Sequence, residues 1–254
     1  MVIGIIGGSG VYRADALRDL EKIKVETEYG GCTVTHGYLE NREMFFIARH
    51  GENHSTPPHM VNYRAHIRAL EKLGVERLIA TCAVGSLRDD IPPGTFVLPD
   101  QYIDFTKNRR YTFYDNGVVH ISMADPFCPE MTEITANIIN SHNFPLRKGG
   151  TYMCIEGPRF STRAESRMFK NFGDIVGMTL VPECQLAREA GMCYTCISMV
   201  TDYDVYGEKP VSATDVKKVM QNNGERVQKV IEGISGEISE RRACSCKEAL
   251  EEAK

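Results

Sequence analysis

The chain has 254 residues and a mass of 28.5 kDa, a length that one large α/β domain or two small domains would fill. Hydrophobic residues make up 42% and charged residues 25%, so the composition excludes a disordered, collagen-like or coiled-coil chain. The net charge of −4 and the pI near 6.0 argue against a nucleic-acid-binding protein, because such domains are usually basic.

The amino terminus, MVIGIIGGSG, is apolar but short, lacks a basic segment and runs into glycines rather than a cleavage site. We interpret it as a first core strand. No stretch of the sequence approaches the roughly 18 consecutive apolar residues of a membrane span. We therefore expect a cytoplasmic protein that contacts no membrane.

Apolar runs alternate with amphipathic periodicity along the chain. The apolar runs predict strands at 2–6, 44–48, 77–84, 95–99, 151–155 and 192–201, and the periodicity predicts helices at 61–73, 130–141, 163–171, 182–190 and 212–238. This alternation predicts one α/β domain over residues 1–240, with a mostly parallel sheet covered on both faces, followed by a tail over 241–254. Binding sites in such sheets gather at the carboxyl ends of strands.

Three loops that follow predicted strands are rich in small or basic residues. They are the glycine-rich loop 7–10, the loop beginning Arg49-His50-Gly51, and the segment 81–87. Small residues let backbone N–H groups approach an anion, and arginine and histidine can donate to it. The glycine-rich loop alone could equally be a plain tight turn. Together the three loops predict one site for a phosphate-sized anion.

A fourth group of residues has side chains that can bind a planar ring. Phe160 can stack on such a ring, and Met178 offers a soft apolar surface. Asp202 and Asp204 follow the last predicted strand, and their side chains point the same way if the segment stays extended. A solvated turn or a helix cap is the alternative interpretation of the two acids.

The nine cysteines are an odd number, so they cannot all pair with one another. Cys193 and Cys196 lie in an apolar run, and we interpret them as core residues on opposite sides of a strand. Cys244 and Cys246 are too few for a structural zinc site, and the polar residues before them argue against burial in a core. We predict no metal site here or in the histidine-rich loop 50–59.

These motifs together resemble the 5′-methylthioadenosine phosphorylases of the archaeal type, in the trimeric branch of the purine nucleoside phosphorylase family. The matching segments run in family order from about residue 3 to about residue 230 and comprise 4–10, 49–51, 57–65, 84–87, 120, 123–128, 156–161, 177–183 and 201–204. The combination of Glu-Gly-Pro-Arg-Phe with Thr-Asp-Tyr-Asp is specific. The resemblance implies the single-domain nucleoside phosphorylase fold, a twisted, mixed but mostly parallel sheet flanked by helices.

The resemblance further implies a pentosyltransferase of purine and methionine salvage. It would cleave the N-glycosidic bond of 5′-methylthioadenosine with inorganic phosphate, as a co-substrate, and it would need no metal or organic cofactor. A neutral purine leaves poorly unless its N7 receives a proton or a hydrogen bond as the bond breaks. The residue that matches this role is Asp202, whose pKa burial beside Asp204 would raise.

The remaining roles are carried over residue by residue. Phosphate would be held by Ser9, Arg49, His50, Thr179 and the backbone of Ala83. The nucleoside would be held by Phe160, Ser161 and Asp204 at the base, by Met178 at the ribose, and by Ala213 and Val216 at the 5′-methylthio group. His120 of a neighbouring subunit would close that last pocket, so the resemblance implies a homotrimer or a dimer of trimers.

One position departs from the family pattern, because Cys82 stands where a hydroxyl or amide side chain commonly contacts phosphate. A thiol is a weak donor. Either Thr81 substitutes, the backbone makes the contact, or phosphate binds less well. Archaeal thermophilic members carry a C-terminal C-x-C disulfide, so Cys244 and Cys246 are either a labile disulfide, since so small a ring strains the bond, or two free thiols.

The choice of purine depends on fewer residues. An ionised Asp204 would accept from the adenine 6-amino group and repel the O6 of a 6-oxopurine, which favours adenine. The alternative is a 6-oxopurine nucleoside or methylthioinosine phosphorylase on the same fold. A nucleoside hydrolase and a non-catalytic nucleoside-binding protein are two further hypotheses; the first would leave the anion site without a purpose, and the second would not need a proton donor at Asp202.

Overall fold

The computed structural model describes residues 1–8, 17–206 and 210–253. Within these ranges the strands are β1 Val2–Gly7, β2 Arg18–Thr27, β3 Gly30–Leu39, β4 Arg42–Ala48, β5 Val75–Ser86, β6 Phe96–Leu98, β7 Gln101–Phe105, β8 Leu146–Lys148, β9 Thr151–Ile155, β10 Ile175–Gly177 and β11 Cys193–Asp202. The helices are α1 Tyr63–Lys72, α2 Pro129–Ser141, α3 Arg163–Phe169, α4 Leu180–Glu189 and α5 Ala213–Glu237.

All of these strands belong to one sheet, whose main path runs β2-β3-β4-β1-β5-β10-β9-β7. Strand β11 pairs with β5 and β6, and β8 pairs with β6. Pairing is parallel between β1 and β4, β1 and β5, β5 and β11, β9 and β10, β7 and β9, and β6 and β8. The other pairs are antiparallel. The predicted mixed, mostly parallel sheet is confirmed.

Helices cover both faces of the central strands. Helices α1 and α4 pack into one buried apolar cluster, and α2 and α5 pack into another. Cys196 belongs to the first cluster and Cys193 to the second, so these two residues lie on opposite faces of β11, as predicted. A strand buried on both faces needs a nearly continuous apolar sequence, which β11 has.

Each predicted strand and helix is present, with ends that differ by a few residues. Val181 interrupts α4 with an extended backbone, so the regular part of this helix begins at Pro182, its predicted start. The sequence did not predict β2, β3, β7, β8 and β10. Strand β2 lies at an edge of the sheet and is mostly exposed and polar, whereas β8 and β10 have only three residues each.

The topology places several strand ends together. Strands β1, β4, β5 and β11 are mutually parallel neighbours, so their carboxyl ends lie at one edge of the sheet. The short strand β10 pairs antiparallel to the end of β5 and leads into Met178 and Thr179. Among the helices of the described residues, none has the length and apolar character needed to cross a bilayer.

The tail corrects one prediction. Cys246 is only 3% exposed and Cys244 is half-buried, although polar residues precede both. The Arg242 guanidinium donates to the Gly191 carbonyl at 2.7 Å, and the Ala243 N–H donates to Glu130 Oε2 at 3.0 Å. These two hydrogen bonds join the tail to the body of the protein, beside the cysteines that it buries.

Candidate active site

A cavity of about 630 Å³ opens at the shared edge of the strand ends. This volume lies within the range of small-molecule sites, about 300–1,000 Å³. Of the predicted site residues, those that line it are Arg49, His50, Ala83, Phe160, Ser161, Met178, Thr179, Asp202, Asp204, Ala213 and Val216. Ser9 lies outside the described residues. His120 is exposed and is not among the residues that line the cavity of its own chain.

Different elements deliver these side chains. Arg49 and His50 follow β4, and Ala83 comes from β5. Thr179 lies between β10 and α4, and Asp202 ends β11. Because β4, β5 and β11 run in the same direction, residues far apart in sequence converge on one cavity.

Arg49 is buried and already bound within the protein. Its Nε and Nη2 atoms donate to the two carboxylate oxygens of Glu183 at 2.7 and 2.8 Å. Nη1 donates to the Thr81 carbonyl at 2.9 Å, and Nη2 to the Ile6 carbonyl at 3.3 Å. Burial opposes the charge of Arg49, but Glu183 outweighs it and holds the pKa above its ordinary value. A guanidinium has five N–H groups, so these four bonds leave one on Nη1 for a ligand.

Glu183 is the functional residue that sequence reasoning missed. It is fully buried, and besides Arg49 it accepts a hydrogen bond from the Tyr194 hydroxyl at 3.0 Å. A buried carboxylate needs a charged partner, and here the bidentate pair fixes both the position and the orientation of the guanidinium. An acid inside the apolar segment 180–187 was the signal that could have identified it.

His50 differs from its prediction as an anion donor. Its Nδ1 lies 2.8 Å from the Thr56 carbonyl, so Nδ1 carries the hydrogen and donates. Burial, followed by the charge of Arg49, lowers the pKa of His50 from 6.5 to about 4. The ring is therefore neutral at pH 7, and Nε2 is an acceptor. Nε2 can therefore accept a hydrogen bond from a protonated phosphate oxygen, but it cannot donate one to an unprotonated oxygen.

Cys82 and Thr179 meet at the anion end of the cavity, where the Cys82 sulfur lies 3.2 Å from the Thr179 hydroxyl. The Cys196 thiol donates to Cys82 at 3.7 Å and is the main cause that lowers the pKa of Cys82 to about 7. Thr81 is another lining residue of the cavity, and its buried hydroxyl has no hydrogen-bond partner among the described residues. Of the alternatives for the missing phosphate contact, this observation favours Thr81.

The paired acids lie at the other end of the cavity. Asp202 Oδ2 accepts from the Thr201 hydroxyl at 2.7 Å, and Oδ1 accepts from the Asp204 N–H at 2.8 Å. Burial raises the pKa of Asp202, and the charge of Asp204 adds to the shift. The predicted rise is therefore present. Both acids line the cavity, so they do not form a solvated turn. Asp202 also caps the 3₁₀ helix Asp204–Tyr206, because it accepts from the first N–H of that helix.

Three polar side-chain atoms at and beside Asp204 lack a hydrogen bond of good geometry. Burial is the main cause that raises its pKa, and the nearby hydroxyls of Ser166 and Ser161 counter this in part. Yet Asp204 Oδ2 and both hydroxyl oxygens are buried without hydrogen-bonding geometry to any described residue. Buried polar atoms in proteins are nearly always paired, and Ser161 and Asp204 line the cavity, so these two residues are suited to a polar ligand.

Gly85 allows the two acids to approach β5. A Cβ atom at this position would lie 3.0 Å from Asp202 Oδ1 and 3.3 Å from the Asp204 Cβ. The cavity also has lining residues that the sequence did not single out, namely Glu52, Asn53, His54, Met220 and Gln221. No sequence motif marks the last two, which belong to α5, the helix that also supplies Ala213 and Val216.

The model of the phosphorylase superfamily matches residues 2–235. The chain belongs to this superfamily. It is 55% identical over 255 residues to the S-methyl-5′-thioadenosine phosphorylase of Thermofilum pendens, a match that covers 99% of this chain and 97% of that one. The resemblance stated from the motifs is thereby confirmed.

Solved structures agree with this assignment. A methylthioadenosine phosphorylase from an antarctic soil metagenomic library has a TM-score of 0.92 at 41% identity, and the match covers 99% of this chain and 91% of that one. The methylthioadenosine phosphorylase of Schistosoma mansoni in complex with tubercidin has a TM-score of 0.91 at 34% identity, with 98% and 96% covered. The predicted nucleoside phosphorylase fold is confirmed.

Proposed function

We propose that this protein is a pentosyltransferase that cleaves 5′-methylthioadenosine with inorganic phosphate. The products are adenine and 5-methylthioribose 1-phosphate. One observation carries the proposal: a single cavity has polar donors for an anion at one end and two carboxyl groups of raised pKa at the other. A ribosyl group placed between them has a nucleophile on one side and an activated leaving group on the other.

The reaction requires one bond to form and one to break. A phosphate oxygen bonds to C1′ of the ribose while the bond from C1′ to N9 of adenine breaks. Asp202 donates its proton to N7, so the electron pair left on the purine does not build up a full charge. Burial raises the pKa of this carboxyl, which favours its protonated form, and two donors hold it in place.

The other residues bind and orient the substrates. At the base, Asp204 accepts from the 6-amino group, Phe160 packs against the ring and Ser161 lies beside it; Met178 contacts the ribose, and Ala213 and Val216 line the 5′ pocket. Phosphate is held by Arg49, His50, Thr179, the backbone of Ala83, and Ser9, which lies outside the described residues.

The neutral ring of His50 defines the form of phosphate that fits. Monohydrogen phosphate has one P–OH group, which donates to Nε2 of His50, and unprotonated oxygens, which accept from Arg49 and Thr179. The reaction uses phosphate as a co-substrate and requires no metal or organic cofactor. Prolonged dialysis against a chelator should leave kcat unchanged.

The active form is a homotrimer or a dimer of trimers. His120 is exposed and lies outside the cavity of its own chain, while the 5′ pocket is lined by small residues of α5. A neighbouring subunit brings its His120 to this pocket. Light scattering should show an assembly of at least three chains, and an active monomer would contradict the role of His120.

Adenine release from methylthioadenosine, measured with and without phosphate, tests the activity. We expect strict phosphate dependence and 5-methylthioribose 1-phosphate as the sugar product. Release of free 5-methylthioribose without phosphate would show a nucleoside hydrolase, and binding without turnover would show a nucleoside-binding protein. Faster turnover of methylthioinosine than of methylthioadenosine would contradict the assignment of Asp204 to the adenine amino group.

A further inference from the structure

Ser166, a residue of α3, has a fully buried side chain whose hydroxyl oxygen has no hydrogen-bond partner among the described residues. It is not one of the residues that line the cavity, so it does not contact a ligand there directly. Leaving a buried hydroxyl unpaired is unfavourable. We therefore expect its partner to be a neighbouring group of the protein.

The usual partner of a serine or threonine inside a helix is the carbonyl four residues before it. Thr135 of α2 follows this pattern, because its hydroxyl donates to the Met131 carbonyl at 2.7 Å. For Ser166 that carbonyl belongs to Thr162, which accepts from the Ser166 backbone N–H at 2.9 Å but not from its hydroxyl. The Ser166 hydroxyl therefore remains available to an acceptor outside the helix.

Asp204 is the acceptor beside it. Burial raises the pKa of Asp204, and the Ser166 hydroxyl is the largest of the influences that lower it. The buried Oδ2 atom of Asp204 likewise has no hydrogen-bond partner in the described part of the chain. An unpaired donor and an unpaired acceptor thus lie close enough to interact, but without good hydrogen-bonding geometry.

Helix α3 is fixed against the turn that carries Asp204. Arg163 Nη1 donates to the Val205 carbonyl at 2.9 Å, which ties the first residue of α3 to the residue after Asp204. Arg159 donates to both carboxylate oxygens of Glu165 at 2.7 Å, and Glu165 belongs to the capping box of α3. Asp204 has a φ of +44°, a conformation that a non-glycine residue keeps only where its surroundings fix it. Contacts formed without a ligand therefore hold α3 and this acid next to each other.

We propose that Ser166 is a positioning residue that sets the choice of purine. With a purine in the cavity, its hydroxyl donates to the Asp204 carboxylate, which keeps this group ionised and oriented toward the 6-position of the base. A carboxylate oxygen has two lone pairs, so Asp204 can accept from Ser166 and from the adenine 6-amino group at the same time. The inference rests on the proposed function, in which Asp204 contacts that amino group, and it adds the residue that makes the contact selective.

Loss of the hydroxyl should relax the choice of purine for a chemical reason. A carboxylate only accepts hydrogen bonds, whereas a protonated carboxyl has one O–H donor. Without Ser166, burial favours the protonated form of Asp204, whose O–H can donate to the O6 of a 6-oxopurine. The negative charge of Glu165 acts in the same direction as burial, and Ser166 opposes both.

Purine preference in Ser166→Ala tests the proposal. The ratio of kcat/KM for methylthioadenosine to that for methylthioinosine should fall about fivefold, the size expected for loss of one hydrogen bond. Most of the change should lie in the KM for methylthioadenosine rather than in kcat, because Asp202 is unchanged. The control is Ser235→Ala, which removes a buried hydroxyl of α5 outside the cavity and should keep the ratio of the parent. An unchanged ratio in Ser166→Ala, or an equal fall in Ser235→Ala, would overturn the proposal.

Purine binding without phosphate separates this proposal from the proposed function. Calorimetry with adenine and with hypoxanthine should give a lower Kd for adenine in the parent, and Ser166→Ala should reduce this preference. If the parent binds neither purine, the proposed function is wrong and the role of Ser166 with it. If the parent prefers adenine and Ser166→Ala keeps the full preference, only the role of Ser166 is wrong.

A structure of the unchanged protein keeps the test decisive if Ser166→Ala does not fold. In a crystal structure with adenine bound, Ser166 Oγ should lie about 2.5–3.0 Å from a carboxylate oxygen of Asp204. A separation above about 3.5 Å is not a hydrogen bond and would overturn the proposal.

Discussion

Two charged groups, Arg49 at the anion end of the cavity and Asp204 at the purine end, differ in how completely they are paired. Arg49 is held by four hydrogen bonds, two of them to Glu183. Asp204 Oδ2 is in hydrogen-bonding geometry with no described residue. Arg49 is thus held in position before phosphate binds, whereas Asp204 keeps an oxygen for a ligand. Substitutions that break the pair of Arg49 and Glu183 should therefore reduce stability, and substitutions of the two acids at the purine end should reduce turnover or specificity.

The largest effect is expected for Asp202→Asn. The amide cannot supply a proton to N7, and general acid catalysis contributes about 10²–10⁴-fold, so kcat should fall by this factor while nucleoside binding changes little. Steady-state and equilibrium-binding measurements separate the two quantities. Asp115→Asn, which changes an exposed acid outside the cavity, is the matched control. An unchanged kcat would remove Asp202 from its role.

Glu183→Gln tests the pre-organised end. It leaves the buried guanidinium of Arg49 without its counter-charge, and breaking such a pair lowers the free energy of unfolding by about 3–5 kcal/mol. Urea denaturation measures this change. Tyr194→Phe, which removes only one hydrogen bond to Glu183, should lower it by about 1 kcal/mol. Equal losses of unfolding free energy in the two variants would show that the charge pair of Arg49 and Glu183 adds no stability beyond that of one hydrogen bond.

The free energy of unfolding should depend on pH because His50 is buried. Its pKa is about 4 in the folded chain and 6.5 ordinarily, so between these values only the unfolded chain binds the proton. Stability should decrease as the pH falls from 6.5 to about 4, by about 3 kcal/mol for this residue, with no further change below. The variant His50→Asn should have a shallower slope in this window. The same slope in both proteins would contradict the assignment.

Asp204→Asn tests the purine end. The amide can donate to O6, so the ratio of kcat/KM for methylthioadenosine to that for methylthioinosine should fall by about tenfold or more, as for loss of a hydrogen bond to a charged group. Competition between the two nucleosides measures the ratio. The free energy of unfolding should change less than in Glu183→Gln. An unchanged ratio would show that Asp204 does not contact the 6-position.

The smallest effect is expected for Cys82→Thr. The pKa of Cys82 is about 7, chiefly because Cys196 donates to it, so a partly ionised thiol lies at the anion end. Threonine removes this negative charge and offers a hydroxyl. The KM for phosphate should therefore fall a few-fold, which corresponds to about 1 kcal/mol of binding free energy. The difference between variant and parent should grow as the pH rises above 7. Cys32→Ser should leave the KM for phosphate unchanged.

Local patterns were sufficient for the central elements and for most of the site. Strands buried on both faces, such as β11, leave continuous apolar runs, and the loops after them were recognisable because parallel strands end at one edge of a sheet. Short or exposed strands such as β10 and β2 have no such run, so they were missed. The resemblance supplied the roles of individual residues, which composition and spacing alone left open.

The sequence by itself determined the α/β class, the family and many of the residues that line the cavity, because these depend on residue type and order along the chain. Only the tertiary structure decided the tautomer of His50, the pairing of Arg49 with Glu183 and the meeting of Cys128 with the tail cysteines. The last two depend on contacts between residues more than 100 positions apart, and the tautomer depends on the fold of the loop that brings the Thr56 carbonyl to Nδ1 of His50. Local sequence patterns hold no information about either.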